Sequence, residues 1–187
     1  MTFGKSPVVD PHKFAKQFVQ AVARTIEGGV NDRTEAVGKV LLEMGKGLGL
    51  YVAPDRGIKQ PEFLLDFLWF RSSDHNDIAL AVESELGRQK AVLDDFQKLL
   101  HIKAPLKMLI FSTTRHGSES RAVLEGVCKS YLQKFTQHVK DEEYLFIEFV
   151  DPEKAAYYHY FKVPEHGGVE NPEIVDKGRI EYFPHEL

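Results

Sequence analysis

Two apolar runs joined by a polar loop organise the middle of the chain. Residues 62–70 read EFLLDFLWF, residues 78–86 read IALAVESEL, and mostly polar residues run between them from Arg71 to Asp77. Short apolar runs bounded by polar turn residues are typical of strands, so the pattern predicts a β-hairpin. Each run also contains carboxylates, which are costly to bury in a strand without a partner.

The two-residue period of a strand gathers these acids on one face. It places Ala79, Ala81, Glu83 and Glu85 together, and pairing of the two runs brings Asp66 beside the glutamates. Three carboxylates at such range repel one another unless protons or a cation neutralise them. Oxygen ligands favour Mg²⁺, Mn²⁺ or Ca²⁺ over Zn²⁺. Alternatively, Asp66 caps a bend, the two glutamates face solvent on an edge strand, and no site exists.

Two helices are predicted before the hairpin. Asp10 followed by proline is a helix start, a 3.6-residue apolar period follows it, and Gly28 supplies the stop. A second helix begins at Asn31 or Asp32, and its Glu43 lies at the border of the apolar stripe. Glu43 is therefore a candidate fourth acidic group leaning towards the sheet, or else a surface glutamate. The glycine-rich residues 45–57 are interpreted as a turn, because they lack the lysine-serine or lysine-threonine ending of a phosphate loop.

After the hairpin the pattern alternates between helix and strand. An amphipathic helix ends before Pro105 and carries Asp94, Asp95 and Lys98 on its polar face. A continuous apolar run from Leu106 to Thr113 is typical of a strand buried on both faces. The longest predicted helix begins at Ser118 and keeps its apolar side through Val139. This order predicts an α/β core with at least one parallel crossover.

The last part of the chain predicts a second hairpin, from Glu143 through a turn at Asp151–Pro152 to residues 155–163. Arg179 to Phe183 is expected to add an edge strand. We expect a single domain over residues 1–187, with N-terminal helices at 10–48, a core at 60–140, and the hairpin and tail at 141–187.

Composition excludes several classes of protein. The chain has 187 residues, 43% hydrophobic and 28% charged, as in ordinary soluble globular domains. Its one cysteine, Cys128, forms no internal disulfide and suits a reducing cytoplasm, where we expect the protein to stay. No apolar run approaches the ~20 residues of a membrane span, and no secretion signal is visible. The eight histidines show no zinc-binding spacing.

Charge is distributed unevenly along the chain. Residues 86–140 carry ten basic and four acidic side chains, a net charge of +6, whereas residues 141–187 carry a net charge of -8. A basic segment beside a carboxylate cluster suits a nucleic-acid partner, whose phosphodiester backbone lysines and arginines would position. The alternative is that these charges mark solvated faces.

The order of elements and the acidic motif resemble the restriction-endonuclease-like superfamily, the PD-(D/E)xK nucleases. The likeness rests on residues 30–140, chiefly Asp66, the sixteen residues between it and Glu83, and the tetrapeptide VESE. It implies a mixed central sheet flanked by helices, with Asp66 and Glu83 as metal ligands and Glu43 as the glutamate of the first helix. Glu85 stands where lysine is usual, and Lys98 on the following helix is the natural replacement.

A second departure from the family pattern is Leu65, which stands where a proline is expected before the first acid. The resemblance implies Mg²⁺- or Mn²⁺-dependent hydrolysis of a phosphodiester, with Asp66, Glu83, Glu85 and Lys98 as catalytic residues. Two rival hypotheses stay open. One is an inactive domain of this fold that binds nucleic acid or protein, and the other is a small-molecule-binding or assembly protein that dimerises through an aromatic edge strand at Tyr157–Phe161.

Overall fold

A sheet of seven strands runs through the part of the chain that the computed structural model describes, residues 9–55, 64–86, 89–113, 126, 128–150, 153–163 and 173–181. The strands lie side by side in chain order. The helices are α1 (Pro11–Glu27), α2 (Arg33–Gly47) and α3 (Gln89–His101), and residues 128–134 are also helical. The strands are β1 (Tyr51–Ala53), β2 (Phe67–Phe70), β3 (Ile78–Glu85), β4 (Leu106–Thr113), β5 (Glu143–Val150), β6 (Ala155–Lys162) and β7 (Glu173–Glu181).

The predicted α/β class is confirmed by the way the strands pair. β2 and β3 form the antiparallel hairpin. At the base of its loop the Arg71 amide donates a hydrogen bond to the Asp77 carbonyl at 2.8 Å. β3, β4 and β5 are parallel, and helix α3 makes the first crossover. β6 and β7 return antiparallel. The sheet is therefore mixed, with a parallel centre and antiparallel margins.

Helices pack against both faces of the sheet through buried apolar side chains. One face packs against α1 and α2, with Trp69, Leu80, Met108 and Ile147 among its buried residues. The other face packs against α3 and the helical residues 128–134, with Leu68, Ala81, Leu109, Phe146 and the buried Cys128 among its members. A side chain of β3 therefore points to one helix layer or the other according to its place in the two-residue alternation.

The predicted helix starts are confirmed by their caps. The Asp10 carboxylate accepts the Lys13 amide at 2.9 Å, with proline at the first position of α1. The Asp32 carboxylate accepts the Thr34 amide at 2.7 Å. Each carboxylate satisfies a backbone N–H that the first helical turn leaves without a partner.

Three sequence predictions need correction. The stretch predicted as a turn at 45–57 contains strand β1, which forms because Tyr51 to Ala53 pair with the end of β2. The helix predicted to reach Val139 ends at residue 134, and the His138 ring nitrogen Nε2 contacts the Leu132 carbonyl at 2.7 Å in place of the next turn.

The third correction concerns the aromatic strand at Tyr157–Phe161. It is hydrogen-bonded to β5 on one side and to β7 on the other, so it offers no edge for a dimer. β7 is longer than the predicted edge strand and begins at Glu173. The predicted helix start at Ser118, the turn at Asp151–Pro152 and the strand end at Phe183 lie outside the described residues. No helix within the described ranges is long and apolar enough to cross a membrane.

Candidate functional site

Glu83 is a carboxylate buried under helix α3. It lies in the second half of β3, paired in register with Leu109 of β4, and its relative exposure is 0%. Strand alternation sets its direction, because the neighbouring Val82 packs with the α1 and α2 layer. The sequence analysis placed Glu83 on one face with Ala79 and Ala81. Ala81 does pack in the α3 layer, but Ala79 packs with the α1 and α2 layer, because the pairing of β2 with β3 shifts register between Trp69 and Phe70.

Helix α3 brings a lysine to this carboxylate. Its apolar side, including Val92, Phe96 and Leu99, is buried against the sheet. Lys98 lies on the flank of that side, and its Nζ is 3.1 Å from Glu83 Oε1 and 2.6 Å from Asp95 Oδ1. The lysine therefore bridges a buried carboxylate and a more accessible one. Sequence reasoning placed Asp95 on the polar face but gave it no role, although its position three residues before Lys98 was a signal.

Asp66 approaches Glu83 from the hairpin. β2 begins at Phe67, one residue later than a strand containing Asp66 would require, and Phe67 pairs with Val82. Asp66 is thus next to Glu83 in the same register. Its Oδ2 accepts the Ser84 amide at 2.8 Å, so a side chain rather than a strand carbonyl satisfies this amide at the end of the ladder. Asp66 is half-buried.

The surroundings of Glu83 favour its neutral form. Burial raises the pKa of Glu83 to about 8, the negative charges of Asp66 and Asp95 add to the shift, and Lys98 opposes it. Burial by itself would lower the pKa of Lys98, but hydrogen bonds to Asp95 and Glu83 outweigh it and raise that pKa. Glu83 therefore holds a proton more readily than an ordinary glutamate, beside a lysine that stays charged.

One carboxylate oxygen of Glu83 has no hydrogen-bond partner among the described residues. Oε1 accepts from Lys98, whereas Oε2 is buried and has no hydrogen-bond partner among the described residues. Buried polar atoms are nearly always satisfied in native structures, and exceptions call for an explanation such as a catalytic role or a bound ion.

The other two sequence candidates lie differently. Glu85 ends β3, is half-buried and follows the same alternation as Glu83, paired with Phe111. Glu43 is exposed on α2, whose buried side belongs to the opposite layer, so the structure does not bring it to Glu83. The described ranges contain no group of three or more His, Cys, Asp or Glu side chains placed to hold a metal ion. The cluster that does form is Asp66, Glu83, Asp95 and Lys98.

No model of a known protein family matches the chain, and no curated protein is significantly similar to it.

Proposed function

We propose that the chain is a restriction-endonuclease-like phosphodiesterase that uses a divalent metal ion held by Asp66 and Glu83. The observation that carries this proposal is the fully buried Glu83, whose Oε2 lacks a partner in the described part of the chain and which lies beside a second carboxylate. Perturbed acids in a cluster with a charged partner are the usual mark of a functional site.

The element order supports the endonuclease-like fold. The first acid enters the sheet from the hairpin at Asp66, the second lies on the adjacent strand at Glu83, and the lysine comes from the helix that follows. This is the arrangement that the resemblance implies once Lys98 replaces the residue at position 85. Glu83 and the carboxyl ends of the parallel strands lie at one end of the sheet, where ligands bind in open α/β folds.

The donor set fits a hard divalent ion. Mg²⁺ commonly binds through one or two carboxylates and takes its remaining ligands from water and substrate phosphate. Asp66 and Glu83 supply two carboxylates, and the leftover Oε2 supplies an oxygen that nothing else in the described residues uses. Glu85 ends the same strand and would be a further oxygen ligand. A bound ion would supply Lewis-acid stabilisation of the phosphate.

The protein's own groups have distinct roles in this hydrolysis. Lys98 stabilises the charge that develops on the phosphate, since its stem is flexible and its side chain is 43% exposed. Glu85 accepts the proton of the attacking water, a role open to a carboxylate at the margin of the site. The Asp66 carboxylate accepts a hydrogen bond from the Ser84 amide, which holds it against β3 next to Glu83.

The charge of the following segment supports a nucleic-acid substrate. Residues 86–140, which include α3 and β4, carry a net charge of +6. Lysine and arginine side chains of such a segment would position a phosphate backbone without reading its sequence.

Plasmid nicking tests this proposal. In Mg²⁺, Asp66→Asn is expected to reduce nicking of supercoiled DNA by about a hundredfold or more, the loss typical when a charge-stabilising group is removed. The melting temperature should stay the same or rise, because asparagine keeps an oxygen for the Ser84 amide and relieves the repulsion on Glu83. Asp94→Asn, an exposed neutralisation on α3, is the matched control and should nick like the wild type. Equal nicking by wild type and Asp66→Asn would refute the proposal.

A non-catalytic binding domain is the second candidate. It is favoured by the ion pairs of Lys98 with Glu83 and Asp95, which neutralise the site without a metal. It is also favoured by the lack of a three-acid group in the described ranges. Binding of nucleic acid that needs no Mn²⁺ and leads to no cleavage would support this candidate.

A further inference from the structure

The shared lysine is the least expected feature of the cluster. Lys98 Nζ is closer to Asp95, at 2.6 Å, than to Glu83, at 3.1 Å. The side chain of Glu83 is 1% exposed, that of Asp95 is 13% exposed and that of Lys98 is 43% exposed. The ammonium thus stands between the inner carboxylate and solvent, with an outer carboxylate already in contact.

A cation that binds Glu83 must share the carboxylate with Lys98. Lys98 holds Oε1, and the remaining oxygen Oε2 belongs to the same carboxylate. A divalent ion on Oε2 would stand close to the ammonium, and like charges at that range repel one another. Metal binding is therefore favoured if the ammonium withdraws from Glu83.

Asp95 supplies the place to which the lysine withdraws. It lies three residues before Lys98 on α3, so the lysine keeps this partner by turning its flexible four-carbon stem without any movement of the helix. With no second partner, an ammonium leaving Glu83 would have to regain all its stabilisation from solvent.

We infer that Asp95 is a positioning residue that lets Lys98 release Glu83 to a divalent cation while remaining in the site. Lys98 and the metal then compete for Glu83, and Asp95 sets how easily the lysine gives way. This inference rests on the proposed function, because it requires that Glu83 bind a metal.

A double-mutant cycle on Mn²⁺ affinity tests the inference. Calorimetric titration of the full chain without substrate would compare wild type, Asp95→Asn, Lys98→Met and the double variant. We expect Lys98→Met to bind Mn²⁺ about tenfold more tightly, because the competitor is gone, and Asp95→Asn to bind several-fold more weakly. In the Lys98→Met background, Asp95→Asn should then have little further effect, because Asp95 acts through the lysine.

Two further variants separate this role from a general loss of negative charge. Asp95→Glu keeps a carboxylate within reach of Lys98 and should restore most of the affinity, whereas Asp94→Asn on the same helix should bind like the wild type. Thermal melts of all variants establish that each one is folded.

The outcomes distinguish the two proposals. If the wild type binds Mn²⁺ but Asp95→Asn weakens binding equally with and without Lys98, Asp95 acts only by its charge and the inference is overturned. If Asp95→Asn has no effect, it is also overturned. If neither the wild type nor Lys98→Met binds Mn²⁺, the metal site itself is refuted and the inference falls with it.

Discussion

Two lysine–glutamate pairs, Lys107–Glu142 and Lys98–Glu83, lie on the same face of the sheet. They differ in the burial of the lysine and in their position along the strands. Lys107 Nζ is 2.9 Å from Glu142 Oε1, and both side chains are buried, with exposures of 0% and 2%. Lys98 Nζ is 3.1 Å from Glu83 Oε1, but the lysine is 43% exposed. The first pair lies at the amino ends of β4 and β5, and the second lies towards the carboxyl end of β3.

The Lys107 pair is closed by its neighbours. Lys107 also donates to the Tyr144 hydroxyl at 3.2 Å and to the Leu100 carbonyl at 3.4 Å. Tyr144 in turn donates to Glu142 Oε2 at 3.0 Å, and the His138 ring contacts the same hydroxyl at 3.1 Å. These contacts use the three donors of the lysine and both oxygens of the glutamate, so the cluster joins α3 to β4, β5 and the segment before β5.

The pKa values of the two glutamates are shifted in opposite directions. Burial would raise the pKa of Glu142, but the hydrogen bond from His138 and the ion pair with Lys107 hold that pKa below its usual value. Burial and two negative neighbours instead raise the pKa of Glu83 to about 8. The Lys107–Glu142 pair, whose polar atoms are all hydrogen-bonded, therefore stabilises the fold. The Lys98–Glu83 pair, which leaves Glu83 Oε2 without a partner among the described residues, is a candidate for chemistry.

The largest expected difference follows from removing each lysine. Lys107→Met leaves Glu142 buried without its cation, which typically costs about 3–5 kcal/mol and corresponds to a fall in melting temperature of roughly 10 °C at this chain length. Lys98→Met should cost less than about 1 kcal/mol, because its lysine is half-exposed and Glu83 readily takes up a proton. Thermal denaturation at pH 7 measures both. Equal losses would show that the two pairs are energetically alike.

A smaller and opposite pair of effects is expected from removing each glutamate charge. Because the pKa of Glu142 is lowered on folding, its stabilisation is present above the unfolded value of 4.5 and is lost as the pH falls through its folded value. Glu142→Gln should therefore destabilise by about 1–3 kcal/mol at pH 7, with the difference from the wild type shrinking in acid.

Glu83 should behave in the reverse way. Its pKa is raised on folding, so the wild type loses stability as the pH rises from 4.5 to about 8. Glu83→Gln should therefore be more stable than the wild type by a few kcal/mol at pH 9, and nearly equal to it at pH 4.5. Melting curves across this range check the sign. A Glu83→Gln variant that is less stable at pH 9 would contradict the contrast.

Local patterns in the sequence were sufficient to predict the central hairpin and one half of the site. The two-residue alternation places Glu83 on the α3 face, and pairing of the apolar runs brings Asp66 beside it. The helical period places Lys98 on the polar face of α3, and its contact with Glu83 is known only from the structure. Each of these depends on neighbours within one element or one turn.

Features set by distant contacts could not be predicted in this way. Which layer Glu43 faces depends on how α2 packs on the sheet, and the position of Glu43 at the edge of an apolar stripe does not determine it. The three-residue strand β1 exists only through its pairing with β2. Lys107 looks like an isolated charge in an apolar run, because its partner Glu142 is remote in sequence and no local pattern connects them.

The most direct test of the metal site is a crystal grown with Mn²⁺ and measured for anomalous scattering. The account predicts a peak within coordination distance, about 2.2 Å, of a carboxylate oxygen of both Asp66 and Glu83, with Lys98 turned towards Asp95. A map with no peak there at saturating Mn²⁺, and with Lys98 still bonded to Glu83, would contradict it.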